Sequence, residues 1–139
     1  MTTTDAARTH HYLCTGCPLG CRLEVDAVED DIVEIRGFEC KIGERYAEQE
    51  HSDPRRPVST TVRFADPARP RLPVRTADAV PKRYLREVVQ AAGELRITRP
   101  VRIGEVLLRD VGGSGSDLIA TRSMTPAGQA AETPPLVPA

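Results

Sequence analysis

The sequence predicts an α+β protein: a small β-hairpin module carrying all four cysteines, followed by a small α+β domain with a short mixed or antiparallel sheet and one main helix. Three observations predict it. Cys14, Cys17, Cys21 and Cys40 all fall within the first 40 of 139 residues. Several short segments alternate apolar and polar residues with the period of two of a half-buried strand. The clearest helical stripe, Tyr84, Leu85, Val88, Val89 and Ala92, occurs in a single later segment.

Residues 1–11 are polar and read as a short arm. Residues 12–52 form the cysteine module. There Leu23, Val25 and Ala27 alternate with Arg22, Glu24 and Asp26, the pattern of a strand with one buried face. Glu29-Asp30-Asp31 makes a polar turn, and Ile32, Val33 and Ile35 supply a second strand that ends at Gly37. This hairpin places the Cys14–Cys21 loop near one end and returns Cys40 toward it. Lys41 to Glu50 is rich in helix formers, with Ile42, Tyr46 and Ala47 on one face, and it stops before Pro54.

Residues 53–57, Asp-Pro-Arg-Arg-Pro, read as a stiff connector. The second domain spans 58–122. Thr60 to Phe64 and Arg71 to Thr76 are strand candidates joined by a proline-bearing loop, and Pro73 suggests an edge position for the second of them. The main helix is expected to begin at Pro81, a favoured first helical residue. Val101, Ile103 and Val106 to Leu108 read as extended. A Gly/Ser loop over Gly112 to Ser116 precedes a last strand, Leu118 to Thr121. From Ser123 to Ala139 the composition falls to Pro, Ala, Thr and Gly, which predicts a disordered tail.

Composition removes several classes of function. Hydrophobic residues make up 40% but aromatics only 4%, with no Trp, so any core is aliphatic and modest. A formal charge of −1 argues against a nucleic-acid binder held by bulk electrostatics. No apolar run approaches the roughly 18 residues of a membrane span. The first residues lack the apolar stretch of a secretion signal. The expectation is a cytoplasmic protein, whose cysteines are then poor candidates for structural disulfides.

The cysteines follow the spacing Cys-x2-Cys-x3-Cys, then 18 residues, then Cys. Structural zinc sites usually divide their ligands into two pairs. Here the division is three and one, which suits a cuboidal 4Fe-4S cluster whose irons each need a thiolate. Gly16 and Gly20 would let backbone amides approach the sulfides. Zinc remains the alternative metal. A thiol redox pair at Cys14 and Cys17 is disfavoured, because no thioredoxin-like βαβ pattern follows.

Lys41 and Arg45 flank the fourth cysteine and are candidate cofactor-binding cations, beside which an anionic cluster is more readily reduced. They are equally well read as solvated residues of a helix. His10 and His11 precede Cys14, but four cysteines already complete a site. Lys82, Arg83 and Arg86 crowd a helix start, where the dipole disfavours them; a solvated face is the plainer reading over contact with an acidic partner. Gly112-Gly113-Ser114-Gly115 lacks the Lys-Ser/Thr of a phosphate loop. Arg55 and Arg56 read as a surface connector or an anion clamp. No catalytic set is evident: nothing pairs a nucleophile with a general base. One-electron relay is therefore the most concrete expectation.

Two resemblances extend this reading. Cys14-x2-Cys17-x2-Gly20-Cys21, the hairpin ending in Gly37, and Cys40-Lys41-Ile42-Gly43 resemble the N-terminal 4Fe-4S segment of molybdopterin-dependent oxidoreductases. In those enzymes a lysine after the last cysteine lies between cluster and pterin, whereas Lys41 stands one place early and the gap before Cys40 is shorter. Nothing after residue 52 reads as a pterin domain. Over Cys14 to Arg122 the chain resembles a bacterial and archaeal family of small four-cysteine proteins of unknown function. The shared stretches include Cys17-Pro18-Leu19-Gly20-Cys21, Cys40-Lys41-Ile42-Gly43, Ser59-Thr60-Thr61-Val62-Arg63, Leu72-Pro73-Val74-Arg75-Thr76, Val80-Pro81-Lys82 and Ala120-Thr121-Arg122. That resemblance implies an accessory partner of two flavoproteins encoded beside it. One is a flavin-dependent glycerol-3-phosphate dehydrogenase-like subunit, and the other is an FAD/NAD-dependent oxidoreductase subunit.

Overall fold

The computed structural model describes residues 6–130, which fall into two compact units divided between Arg55 and Arg56. In the first, strands β1 (Arg8–Leu13), β2 (Arg22–Val28) and β3 (Asp31–Arg36) form an antiparallel sheet in the order β1-β2-β3, followed by helix α1 (Lys41–Ser52). β2 lies in the middle because it alone alternates cleanly. Leu23, Val25 and Ala27 are almost fully buried, Leu23 and Val25 in one cluster with Ala47 of α1. The opposite face is polar. There Asp26 stands across from Glu34, and Arg36 gathers Glu24, Asp26 and Glu34 around its guanidinium.

The hairpin of β2 and β3 and the helix at Lys41 match the sequence expectation. The polar arm does not. Residues 8–11 belong to β1, whose register runs from Arg8 opposite Ala27 to Leu13 opposite Arg22. Arg8, Thr9 and His11 face solvent on this edge strand, so their polarity hides the alternation that His10 and Tyr12 complete.

After the two-residue strand β4 (Arg55–Arg56), the second unit is built from β5 (Ser59–Phe64), β6 (Arg71–Thr76), β7 (Val80–Pro81), α2 (Leu85–Glu94), β8 (Arg96–Ile97), β9 (Val106–Leu108) and β10 (Leu118–Ala120). Its five-stranded sheet has the order β8-β5-β6-β10-β9. β5 and β8 are parallel and the other neighbours antiparallel, so the sheet is mixed. Val62, Phe64, Leu72, Val74 and Leu118 pack in one core with Val88 and Ala92 of α2. This is the short sheet with one main helix that the sequence predicts, and the whole is α+β.

Three local expectations are corrected. β6 is the central strand, not an edge. Pro73 is tolerated because it sits one rung beyond the end of β10, where its carbonyl still accepts from the Thr121 N–H at 3.0 Å. Only the rung that its missing N–H would complete is lost. Helix α2 begins at Leu85, not Pro81. Pro81 is extended (φ −55°, ψ 134°) and buried, and a 3-10 turn over Lys82–Tyr84 leads into the helix. Finally, the tail is not free from residue 123: Met124 is 4% exposed and exchanges both backbone hydrogen bonds with Val101 at 2.9 Å. The rest of that expectation, residues 131–139, lies outside the described residues.

In the Gly/Ser loop, Gly112 has φ +62°, and a Cβ there would lie 2.7 Å from the backbone of Glu87 and Val88. The loop is glycine-rich because it presses against α2. Among the described residues no helix is long and apolar enough to cross a membrane.

Candidate metal centre

The ladder of the first unit decides where the thiols go. Leu13 is the last residue of β1 and stands opposite Arg22, the first of β2. Cys14 and Cys21 are the next residue out on each strand, and the Cys14 N–H donates to the Cys21 carbonyl at 2.9 Å. That bond closes the eight-residue loop holding three of the four cysteines. Gly20 turns the loop with φ +61°, a conformation that favours glycine.

β3 leaves the sheet at the same end. At Gly37, φ +83°, a Cβ would overlap the Arg22 carbonyl oxygen, so only glycine lets the chain pass this close to β2. Three residues later Cys40 caps α1 in extended conformation (φ −155°, ψ 169°), and its carbonyl accepts from the Gly43 and Glu44 N–H groups. Its thiol makes no capping bond and is exposed. The first turn of α1 meets the loop, since a Cβ at Gly16 would lie 2.6 Å from Ile42 Cγ2 and 3.5 Å from Cys14 Sγ. All four cysteines therefore sit at one end of the sheet, and all four are free thiols.

Their side chains diverge. Cys14 is 4% exposed and belongs to the small core with Leu23, Val25 and Ala47, while Cys40 faces solvent. Cys17 and Cys21 are half-buried. Among the described residues, no three or more His, Cys, Asp or Glu side chains stand as a group able to hold a metal ion. The backbone brings the four residues to one end of the sheet, while their side chains differ in burial. In kind and number the donors fit a four-thiolate centre. The Gly16 N–H already donates to Cys14 Sγ at 3.5 Å, the kind of amide contact that stabilises a charged sulfur. A shallow groove lined by Leu19, Cys21, Arg22, Gly37 and Glu39 opens beside the loop.

Lys41 Nζ lies 2.8 Å from Glu44 Oε2. This hydrogen bond, reinforced by the opposite charge, holds the Lys41 ammonium above its ordinary pKa. Arg45 Nε donates to the Lys41 carbonyl at 3.3 Å. Both cations are exposed on the first turns of α1, and the charge of Lys41 is offset by its neighbour.

His10 and His11 join no thiol. The His10 ring meets that of His51 edge-on at 4.9 Å, His51 Nδ1 is hydrogen-bonded to the Tyr12 hydroxyl at 2.9 Å, and His11 lies 3.9 Å from Glu24. Burial, and secondarily the charge of Glu50, push the Tyr12 hydroxyl above the usual phenol range. In the second unit Arg83 stacks over the Tyr84 ring at 5.0 Å. Arg55 pairs with Asp53 at 2.8 Å.

One feature escaped the sequence reading. Residues 1–55 carry six Lys/Arg against twelve Asp/Glu, and residues 56–139 carry thirteen against eight. The whole-chain charge of −1 hides an acidic first unit and a basic second one. Counting charge by half would have shown it.

Fold and site together define a two-unit α+β protein with four cysteines whose backbone positions lie at one end of its first sheet. The chain belongs to the family described as "Protein of unknown function (DUF1667)", which it matches over residues 41–122. That match takes in α1 and the second unit through Arg122, and the Cys14–Cys40 segment precedes it. No curated protein and no solved structure matches the chain.

Proposed function

We propose that the chain is an electron-transfer accessory subunit, holding a 4Fe-4S cluster on Cys14, Cys17, Cys21 and Cys40. Its partners in this reading are a flavin-dependent dehydrogenase subunit of the glycerol-3-phosphate dehydrogenase-like kind and an FAD/NAD-dependent oxidoreductase subunit. The observation that carries it is the three-plus-one thiol set, with three donors on a loop closed by the Cys14–Cys21 backbone bond and the fourth capping α1. When bound, such a cluster accepts and releases single electrons, the step needed between a two-electron flavin and a one-electron acceptor.

The chain's own residues prepare the setting. Cys40 is exposed and Cys17 and Cys21 are half-buried, so loading requires turning Cys14 out of its core position and drawing the other three side chains toward it. The N-terminus of α1 lies at Cys40 and favours negative charge there through its unpaired amides and dipole. Arg45 adds an exposed cation one turn along. Leu13, Leu19 and Ile42, each more than half exposed, rim the same end and suit a docking face for the electron donor.

The test is anaerobic purification with iron, acid-labile sulfide and zinc determination and a visible spectrum. About four irons and four sulfides per chain are expected, with loss of both in Cys17→Ser. The loaded chain is then mixed with its flavoprotein partners and substrate. A cluster that stays oxidised while the flavin is reduced, at a potential it can accept, refutes the relay. The small core of the first unit, the four buried residues Cys14, Leu23, Val25 and Ala47, favours a structural zinc as the second reading, since so small a unit gains from a metal staple. One zinc per chain without iron or sulfide would establish it.

A further inference from the structure

The outer face of the second unit's sheet carries a charge conflict that its own fold leaves unresolved. Arg63 in β5 stands opposite Arg71 in β6 on one side and opposite Arg96 in β8 on the other. All three are exposed, while the adjoining Phe64, Leu72 and Ile97 are buried. The three arginine side chains therefore leave the same face in one row across three strands, whose backbones lie about 4.8 Å apart. Arg75 extends the face four residues along β6. Like charges set directly opposite each other destabilise a sheet.

No carboxylate among the described residues answers them. Arg63 donates to the Gly93 and Glu94 carbonyls at the end of α2, at 3.2 and 3.4 Å. Arg75 donates to the Thr76 and Ala77 carbonyls at 3.0 and 3.1 Å. The first unit meets the mirror-image difficulty, Asp26 opposite Glu34, and resolves it internally by placing Arg36 between them. Among its described residues the second unit has no such counter-residue on this face.

We propose that the arginine row Arg96–Arg63–Arg71 is a docking surface for a carboxylate-rich segment of a partner protein. Guanidinium forks match carboxylates in number and direction. Nucleic acid fits the face less well, because base stacking needs exposed aromatic rings. The second unit's only aromatics are Phe64, which is buried, and Tyr84, which lies under Arg83. The proposal is independent of any metal on the cysteines and stands or falls apart from the relay reading.

The test uses the full chain and a fluorescently labelled octaglutamate peptide, followed by anisotropy at low ionic strength. Saturable binding is expected, weakened at least about tenfold by Arg71→Glu with Arg96→Glu. Arg71→Gln with Arg96→Gln should give a smaller loss, with circular dichroism confirming the fold of each variant. The control, Lys82→Glu with Arg86→Glu, makes the same charge change elsewhere in the unit and should stay within about twofold of the parent. Equal loss in both charge-reversed pairs would reduce the effect to bulk charge and overturn the proposal, as would absence of binding. Tighter binding of oligothymidylate at the same salt would assign the face to nucleic acid instead. Self-association abolished by Asp30→Asn with Asp31→Asn would make a second copy of the chain the occupant, and the partner assignment would fail.

Discussion

Replacing Gly37 by alanine tests the account of how the fourth cysteine reaches the other three. Gly37 has φ +83°, and a Cβ there would overlap the Arg22 carbonyl oxygen and lie 3.2 Å from its carbon. Holding an L-residue at positive φ costs about 1–2 kcal/mol. Relieving a clash with backbone, which has no alternative rotamer, adds about 1–3 kcal/mol. A loss near 3 kcal/mol raises the opening constant of the first unit by about two orders of magnitude. Hydrogen exchange on the full chain reads this directly. Amides of β2 and β3 are expected to lose about a hundredfold in protection, while those of β5 and β6 keep theirs. Gly16→Ala is the contrast, because its one close contact would be the γ2 methyl of Ile42, a half-exposed side chain that can turn away, and Cys14 Sγ would lie at an ordinary 3.5 Å. Protection in Gly37→Ala within about threefold of the parent would show that β3 does not depend on this close passage.

Two further outcomes follow from the ion cluster and the docked end of the chain. Hydrogen bonds from Arg36, then from Thr9, hold the Asp26 carboxyl below its ordinary pKa. The stability this contributes is full above the ordinary carboxylate range and is lost as pH falls through the lowered value. Arg36→Ala should move the NMR titration of Asp26 back upward and flatten the acid limb of the stability curve; an unmoved titration would deny the pairing. Met124→Ala removes a buried side chain from the second unit's core and should cost about 2–3 kcal/mol in urea unfolding. No measurable cost would restore the free tail from residue 123.

The sequence was most legible where one physical signal acted alone. β2 reads cleanly because burial on one face is the only demand on Leu23, Val25 and Ala27. Lys41 to Glu50 reads as a helix because Ile42, Tyr46 and Ala47 keep the helical period, and the helix runs two residues further, to Ser52. Legibility failed where a neighbour distant in sequence changed the meaning of a residue. Pro73 signals an edge unless one knows that β10 stops a rung short of it. Pro81 signals a helix start until Val80 and Pro81 are seen buried. Met124 reads as tail until Val101 pairs with it. For the cysteines, spacing indicated a single site, and the backbone brings all four to one end of the sheet. The directions of Cys14 and Cys40 depend on core packing, which spacing does not encode.

The ladders also set an order of events during synthesis. In the first unit the most widely separated rung joins Arg8 to Ala27. In the second, Arg63 waits for Arg96 and Val101 for Met124. Low contact order favours rapid folding, and a nascent chain folds from its N-terminal end. The sheet that carries the four cysteines at its end is thus expected to form while the ribosome is still making the other unit. For that interval the exposed Cys40 and the half-buried Cys17 and Cys21 are within reach of any oxidant that arrives first.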